Sequence, residues 1–288
     1  MLAGEPLADG LQIIARIEAF WDRNCLAERL AVAQIGRARE HFDLGAGVVD
    51  VIFARDLEAG EVEQVRQRVT EHRAAAVADD ALAEVLPMVS EGRTEAEVAL
   101  ALDSAMRRLG AEESAFETIV ASGPNAAKPH ARPSERRLER GDPVVIDFGA
   151  LYEGYRSDMT RTFFVGAPPT GVMAEVLEVV ARAQEAGVAA VRAGAVSGEV
   201  DQAARRVVTE AGYGQAFEHG TGHGVGLDIH EAPWVGAGTT AILQSGTVVT
   251  VEPGVYLSGI GGVRIEDTVV VTDTGCRPLT RFPKDPVC

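Results

Sequence analysis

Apolar segments that each carry a single carboxylate limit the folds open to this chain. Val144, Val145 and Ile146 run into Asp147, Val248, Val249 and Val251 run into Glu252, and Ile265 precedes Glu266 ahead of a run of valines. β-Branched runs of this kind read as buried strands. A carboxylate in such a strand is costly unless a proton, a base or a metal neutralises it. Asp158 lies eleven residues beyond Asp147, across a stretch that alternates around Gly149 and Gly154 as an antiparallel hairpin does. Paired strands can then set the two carboxylates side by side; the alternative puts one aspartate in a turn and pairs the other with Arg156 or Arg161. Like charges this close stay ionised only with cations between them.

One further stretch supplies nitrogen. Residues 219–233 read HGTGHGVGLDIHEAP and hold three of the six histidines, His219, His223 and His230, interleaved with glycines. Glycine has no Cβ and tolerates positive φ, so the backbone here can approach whatever the imidazoles face. Taken alone, the stretch also fits a surface loop. With four acids and one such loop, an oxygen-rich site with a single nitrogen ligand becomes available. Carboxylate-dominated sites with imidazole suit Mn²⁺, Co²⁺, Fe²⁺ or Zn²⁺. Four carboxylates balance two divalent cations, and two neighbouring ions make a hydrolytic centre.

The rest of the chain frames these elements. A 288-residue chain with 46% hydrophobic and 24% charged residues is expected to form a large domain with a smaller one. Amphipathic spacing in residues 11–42 and a strand-like segment at 47–54 point to a small α/β unit over residues 1–57, followed by a catalytic domain over 58–288. A long helix, or two in tandem, is expected from Leu57 to about Leu86 on the spacing of Val62, Val65, Val69, Ala76 and Leu82. Thr94-x-x-Glu97 is a capping box opening a helix that runs to Gly110, and a further helix is expected from Val172 to Arg192. Between Val89 and Gly110 six residues recur 102 positions later, including Glu97/Glu199 and Val98/Val200, which points to two related halves. A net charge of −16 disfavours nucleic acid as a partner. Apolar runs fall short of a membrane span, and the first ten residues lack signal-peptide features. Cys25, Cys276 and Cys288 have no disulfide or finger spacing, so a cytoplasmic protein is expected.

The segments DFGALYEGYRSDMTRTF, HGTGHGVGLDIHEAP, VEPGVY and GGVRIEDTVVVT together resemble the pita-bread metallopeptidases, in the aminopeptidase P and prolidase branch. The resemblance covers roughly residues 58–288. It implies an α+β pita-bread fold of two pseudo-symmetric halves, with Asp147, Asp158, His223, Glu252 and Glu266 as ligands of two divalent ions, Mn²⁺ foremost. Asp158 and Glu266 would bridge the ions, and Glu252 would also act as the general base. His219, His230 and His130 would face the substrate, with His130 and His230 positioned to meet charge on the tetrahedral intermediate. Substrates would be peptides with proline in second position, and the assembly a homodimer. Arg264, two residues before the last ligand, resembles the proline-directed members and would bind a substrate carboxylate or carbonyl; otherwise it orients Glu266 or Asp267 through a salt bridge. Methionine aminopeptidases, which usually have glutamine there, are the first rival. Metal-free creatinase-like hydrolases and binding modules are the second. Trp234 is a further candidate for the pocket wall. The 57 residues ahead of the catalytic part are about half the usual length in that branch.

Overall fold

Two 14-residue helices begin and end 102 positions apart and bury the same positions of their sequence repeat. In the computed structural model, which describes residues 59–288, these are α2 (Glu95–Arg108) and α4 (Ser197–Glu210); α1 (Ala59–Val85) and α3 (Gly171–Ala190) precede them. In α2 the buried positions include 95, 98, 99, 102 and 106, and in α4 they are 197, 200, 201, 204 and 208. The period is helical, and the constant offset bears out the two-half reading. Thr94 caps α2 as expected, its hydroxyl accepting from the Glu97 N–H while the Glu97 carboxylate accepts from the Thr94 N–H.

The strands repeat the same plan. They are β1 (Glu113–Ser114), β2 (Ile119–Ser122), β3 (Pro143–Phe148), β4 (Ala150–Tyr152), β5 (Tyr155–Arg156) and β6 (Met159–Phe164) in the first half. The second half contributes β7 (Gly222–Gly224), β8 (Glu231–Val235), β9 (Val248–Val251), β10 (Gly254–Leu257), β11 (Gly261–Arg264), β12 (Asp267–Val271) and β13 (Cys276–Pro278). One sheet has the order β2-β3-β6 and another contains β12-β9-β7, each antiparallel with the acid-bearing or acid-preceding strand in the middle.

Three expected strands are broken where the chemistry lies. The hairpin around Asp147 and Asp158 is two pairings: β3 pairs with β6, while β4 and β5 turn through Glu153 and Gly154, both at positive φ, and join β1 in a separate sheet. Glu252 and Pro253 separate β9 from β10, and Ile265 and Glu266 separate β11 from β12. Glu266 therefore lies at a break and not within a strand, as does Asp158 just before β6. Only Asp147 is part of a strand. A chain that changes sheet at these points turns its carboxylates inward without losing ladder hydrogen bonds inside a sheet. Proline, which has no N–H to donate, fits such a break at position 253.

The first half's core packs α1 and α2 on its sheet through Val77, Leu82, Leu102, Met106, Ile146 and Phe148. The second packs α3 and α4 through Val176, Val180, Ala204 and Val208 against Val255 and Val263. Each fully buried Val, Leu or Phe contributes about 1.5–3 kcal/mol. The helix over 59–85 agrees with expectation, but its buried apolar face is Ala74, Ala75, Val77, Ala78, Ala81, Leu82 and Val85, with Ala76 only half-buried. Alanines hold this face because they let the helix lie close to its neighbours. Thr70–Cys288 form one compact unit. The expectations for residues 11–54 lie outside the described residues. Among the described residues no helix is long and apolar enough to cross a membrane.

Candidate active site

The strand breaks bring Asp158, His223 and Glu266 together. One ligand atom from each lies within 4.8 Å of the other two, and all three residues are buried. His223 sits in β7, and its Nδ1 lies 3.0 Å from the Gly224 carbonyl. A carbonyl only accepts, so Nδ1 carries a proton and Nε2 is the nitrogen turned inward. Burial lowers the His223 pKa, but Nε2 donates to Glu252 and that bond raises it above its ordinary value. That nitrogen is 3.3 Å from Glu252 Oε1 and 3.6 Å from Asp158 Oδ2. The orientation is the one a metal-ligating imidazole adopts, with its second nitrogen held by a carbonyl.

Asp147 Oδ1 and Glu266 Oε1 are buried and have no hydrogen-bond partner. Buried acceptors are rarely left so, and each costs about 1–3 kcal/mol or more when charged. Burial pushes the Asp158 and Glu266 carboxyls well above the usual carboxylate range, and the neighbouring acids push them further. Asp147 is raised chiefly by burial, with Arg264 opposing. Burial also lifts Glu252, but the hydrogen bond donated by His223 and the charges of His223 and Arg264 outweigh it and hold Glu252 below its ordinary value. An inward cluster of acids with two orphaned oxygens and one prepared imidazole nitrogen fits divalent cations.

Arg264 is 3% exposed. Its Nη2 donates to Asp147 Oδ2 at 2.5 Å, its Nε to Thr160 Oγ1 at 3.0 Å, and its Nη1 to Tyr256 Oη at 2.8 Å and to the Pro129 carbonyl at 3.3 Å. The salt bridge foreseen to Glu266 or Asp267 is thus made to Asp147 instead. Asp267 is taken by Arg161 at 2.8 Å, by Lys284 at 2.6 Å and by Gln184. His219 is expected on the substrate side; here its Nδ1 donates to the Gly220 carbonyl and its Nε2 accepts from Tyr256 Oη at 2.8 Å. Both ring nitrogens are engaged, which makes His219 the end of an Arg264–Tyr256–His219 chain. Burial pushes the Tyr256 hydroxyl up to about 12, so it stays protonated and able to donate.

His230 and His130 are exposed. The His230 ring centroid is 4.4 Å from that of His223, and burial together with the His223 charge lowers its pKa, which keeps it neutral. Trp234 is 53% exposed with its ring 6.4 Å from that of His223, at the edge of the cluster.

Several residues at the site lack a sequence signal strong enough to single them out. Thr160 donates to Glu266 Oε2 at 2.7 Å, and Thr162 donates to the Arg264 carbonyl. Their alternation in the buried strand MTRTFF is the available clue. Asp201 is 2% exposed on α4 and accepts from the Thr221 N–H and hydroxyl, while Arg205 binds Asp201 and donates to the His219 carbonyl. The Thr221 carbonyl in turn accepts from the Glu252 N–H.

The glycines of the histidine loop have a different purpose from the one expected. None of Gly220, Gly222, Gly224 and Gly226 has positive φ. A Cβ on Gly222 would lie 2.0 Å from the Thr250 carbonyl oxygen, and one on Gly224 would lie 2.5 Å from that of Ala232. They admit neighbouring strands of the protein itself. Gly222→Ala is accordingly expected to cost about 1–3 kcal/mol in urea unfolding, since backbone and not a flexible side chain must yield.

Comparison with known proteins agrees with this geometry. The model of metallopeptidase family M24 matches residues 71–273. The chain is 45% identical over 213 residues to an Xaa-Pro dipeptidase of Pyrococcus horikoshii, an alignment covering 74% of this chain and 60% of that one. It superposes on a prolidase from Pyrococcus furiosus with a TM-score of 0.74 and 44% identity, covering 76% of this chain and 64% of that one. An X-Pro aminopeptidase from Thermotoga maritima superposes with a TM-score of 0.75 and 40% identity, covering 80% and 67%. The chain spans about 60% of the length of the curated relatives it matches. Its two halves of helices and antiparallel strands form the pita-bread fold, and with a family match over most of its length the chain belongs to metallopeptidase family M24.

Proposed function

We propose that this chain hydrolyses the bond between an N-terminal residue and a following proline, as an Xaa-Pro dipeptidase or aminopeptidase. The observation that carries the reading is the inward cluster of Asp158, His223 and Glu266 beside the orphaned oxygens of Asp147 and Glu266. Asp147, Asp158, His223, Glu252 and Glu266 would hold two divalent cations, with Mn²⁺ first and Co²⁺, Zn²⁺ or Fe²⁺ as alternatives. Such ions supply Lewis acidity and lower the pKa of water. Glu252 accepts the proton of the attacking water and returns it to the leaving amine, a role supported by its place beside His223 at the cluster. His230 and His130 meet the carbonyl oxygen as its charge develops. Arg264, with Tyr256 and His219, forms the substrate-facing wall.

The relatives' names support the proline-directed reading over methionine aminopeptidase. Residues 1–57 form a separate N-terminal domain and 58–288 the catalytic domain in this proposal. The family resemblance supports a homodimer, and the free thiols Cys276 and Cys288, which fit a reducing compartment, support a cytoplasmic location. The test compares rates on Xaa-Pro, Xaa-Pro-Yaa and Met-Ala peptides with Mn²⁺ added. Release of the N-terminal residue from proline peptides alone is expected, and the ratio of the first two rates separates dipeptidase from aminopeptidase. Cleavage of Met-Ala without proline-peptide cleavage overturns the proposal.

A further inference from the structure

Glu95 is a carboxylate with no exposure at all, at the first turn of α2, in a place where the helix does not need it. The capping box of Thr94 and Glu97 already serves the end of the helix. Both Glu95 oxygens are given instead to the loop that leaves β2. Oε1 accepts from the Ser122 N–H and hydroxyl, each at 2.7 Å, and from Asn125 Nδ2 at 3.1 Å. Oε2 accepts from the Ser134 N–H at 3.0 Å and from its hydroxyl at 2.5 Å. Asn125 Nδ2 also reaches Oε2 at 3.3 Å.

Ser122 and Ser134 are the two ends of the loop that holds His130. One buried carboxylate therefore closes the loop at its base, and charge-assisted bonds of this kind are about twice as strong as neutral ones. The loop is held a second time near its tip, where the Pro129 carbonyl accepts from Arg264 at 3.3 Å. His130 is the next residue in the chain. The other half uses the same device: Asp201, buried on α4, holds Thr221 in the histidine loop through two hydrogen bonds.

We propose that Glu95 is a positioning residue that fixes the loop bearing His130 against Arg264, itself paired with Asp147, so that its loss lowers turnover through His130. The proposal rests on the Xaa-Pro peptidase reading for its kinetic arm. Glu95→Gln keeps the shape but turns an amide NH₂ toward N–H and hydroxyl donors. Its kcat on an Xaa-Pro peptide should fall about ten- to hundredfold, the scale of a displaced catalytic group, with KM changed far less. In a His130→Ala background the same substitution should cost less than about twofold, because groups acting as one unit are not additive. Ser134→Ala, a milder change that leaves the backbone bond, should repeat the pattern at smaller amplitude and covers the case in which Glu95→Gln does not fold. A merely structural role predicts a lowered unfolding midpoint with independent, multiplying kinetic effects, and that result overturns the proposal.

A second readout needs no turnover. In Mn-free protein labelled at histidine Cε1, the His130 ring signal, assigned by its absence in His130→Ala, should shift and broaden in Glu95→Gln and Ser134→Ala. A His130 signal that stays sharp and unmoved overturns the positioning role. Wild-type protein that leaves Xaa-Pro peptides intact instead sinks the peptidase reading, and the ring signal then decides the positioning role by itself.

Discussion

Glu252→Ala is expected to lower kcat on Xaa-Pro peptides by about 10³-fold, within the range of a lost general acid–base group. Glu252 follows β9, its N–H is held by the Thr221 carbonyl, and Oε1 lies 3.3 Å from His223 Nε2. Held below the usual carboxylate value by that imidazole and by Arg264 despite its burial, it is ionised at neutral pH and ready to take a proton. Asp158→Asn should produce a loss of the same order through the metal site, with volume preserved. Its effect on metal-free stability has the opposite sign. Asp158 is buried among Glu266, Asp147 and Glu252, so a neutral amide relieves repulsion, and the unfolding midpoint of chelated protein should rise. Steady-state kinetics and thermal unfolding of the same preparations check both halves. Full activity in either variant rules out the assigned roles.

Chelation is expected to remove activity and to leave a protein whose stability falls as pH rises. Asp147, Asp158 and Glu266 are all held above their ordinary values, by burial first and then by one another or by Glu252. Between the unfolded value near 4 and the raised folded value, the native state holds protons that the unfolded state has lost. Stability therefore declines with pH through that window and stays low above it, each group losing about 1.4 kcal/mol for every tenfold by which folding tightens its hold on the proton. Among the four carboxylates of the cluster, Glu252, depressed in the folded state, runs the other way, one group against three. Divalent cations replace the missing protons above the window. Mn²⁺ should raise the unfolding midpoint more at pH 8 than at pH 5, and restore hydrolysis of Xaa-Pro peptides. A chelated protein that keeps its activity, or a midpoint that Mn²⁺ does not move at pH 8, contradicts a metal centre at this cluster.

The helices and the repeat are legible in the sequence because their signals are local. Thr94 and Glu97 are three residues apart, and the buried positions of α2 and α4 follow a period that can be counted along the chain. The strands are legible as apolar runs, and Pro253 marks the break after Glu252, but the other break is hidden. VRIEDTV reads as continuous, whereas the chain changes sheet at Ile265–Glu266. The purpose of the loop glycines is hidden for a related cause. A missing Cβ says that something comes close, and only the fold says that it is the Thr250 carbonyl.

The order of residues alone establishes an inventory: four carboxylates in apolar settings, one histidine-rich loop, two related halves, and a resemblance specific enough to order the ligands. Each of these is a statement about neighbours along the chain, so it holds before the chain has folded. Packing in three dimensions settles the rest: which oxygens stay unpaired, that Arg264 pairs with Asp147 across 117 positions, that His219 is engaged at both nitrogens, and that Glu95 closes the His130 loop. Those are contacts between distant segments. Hydrogen bonds depend on ångström-scale distances and angles that arise only when the two halves' sheets and helices have packed.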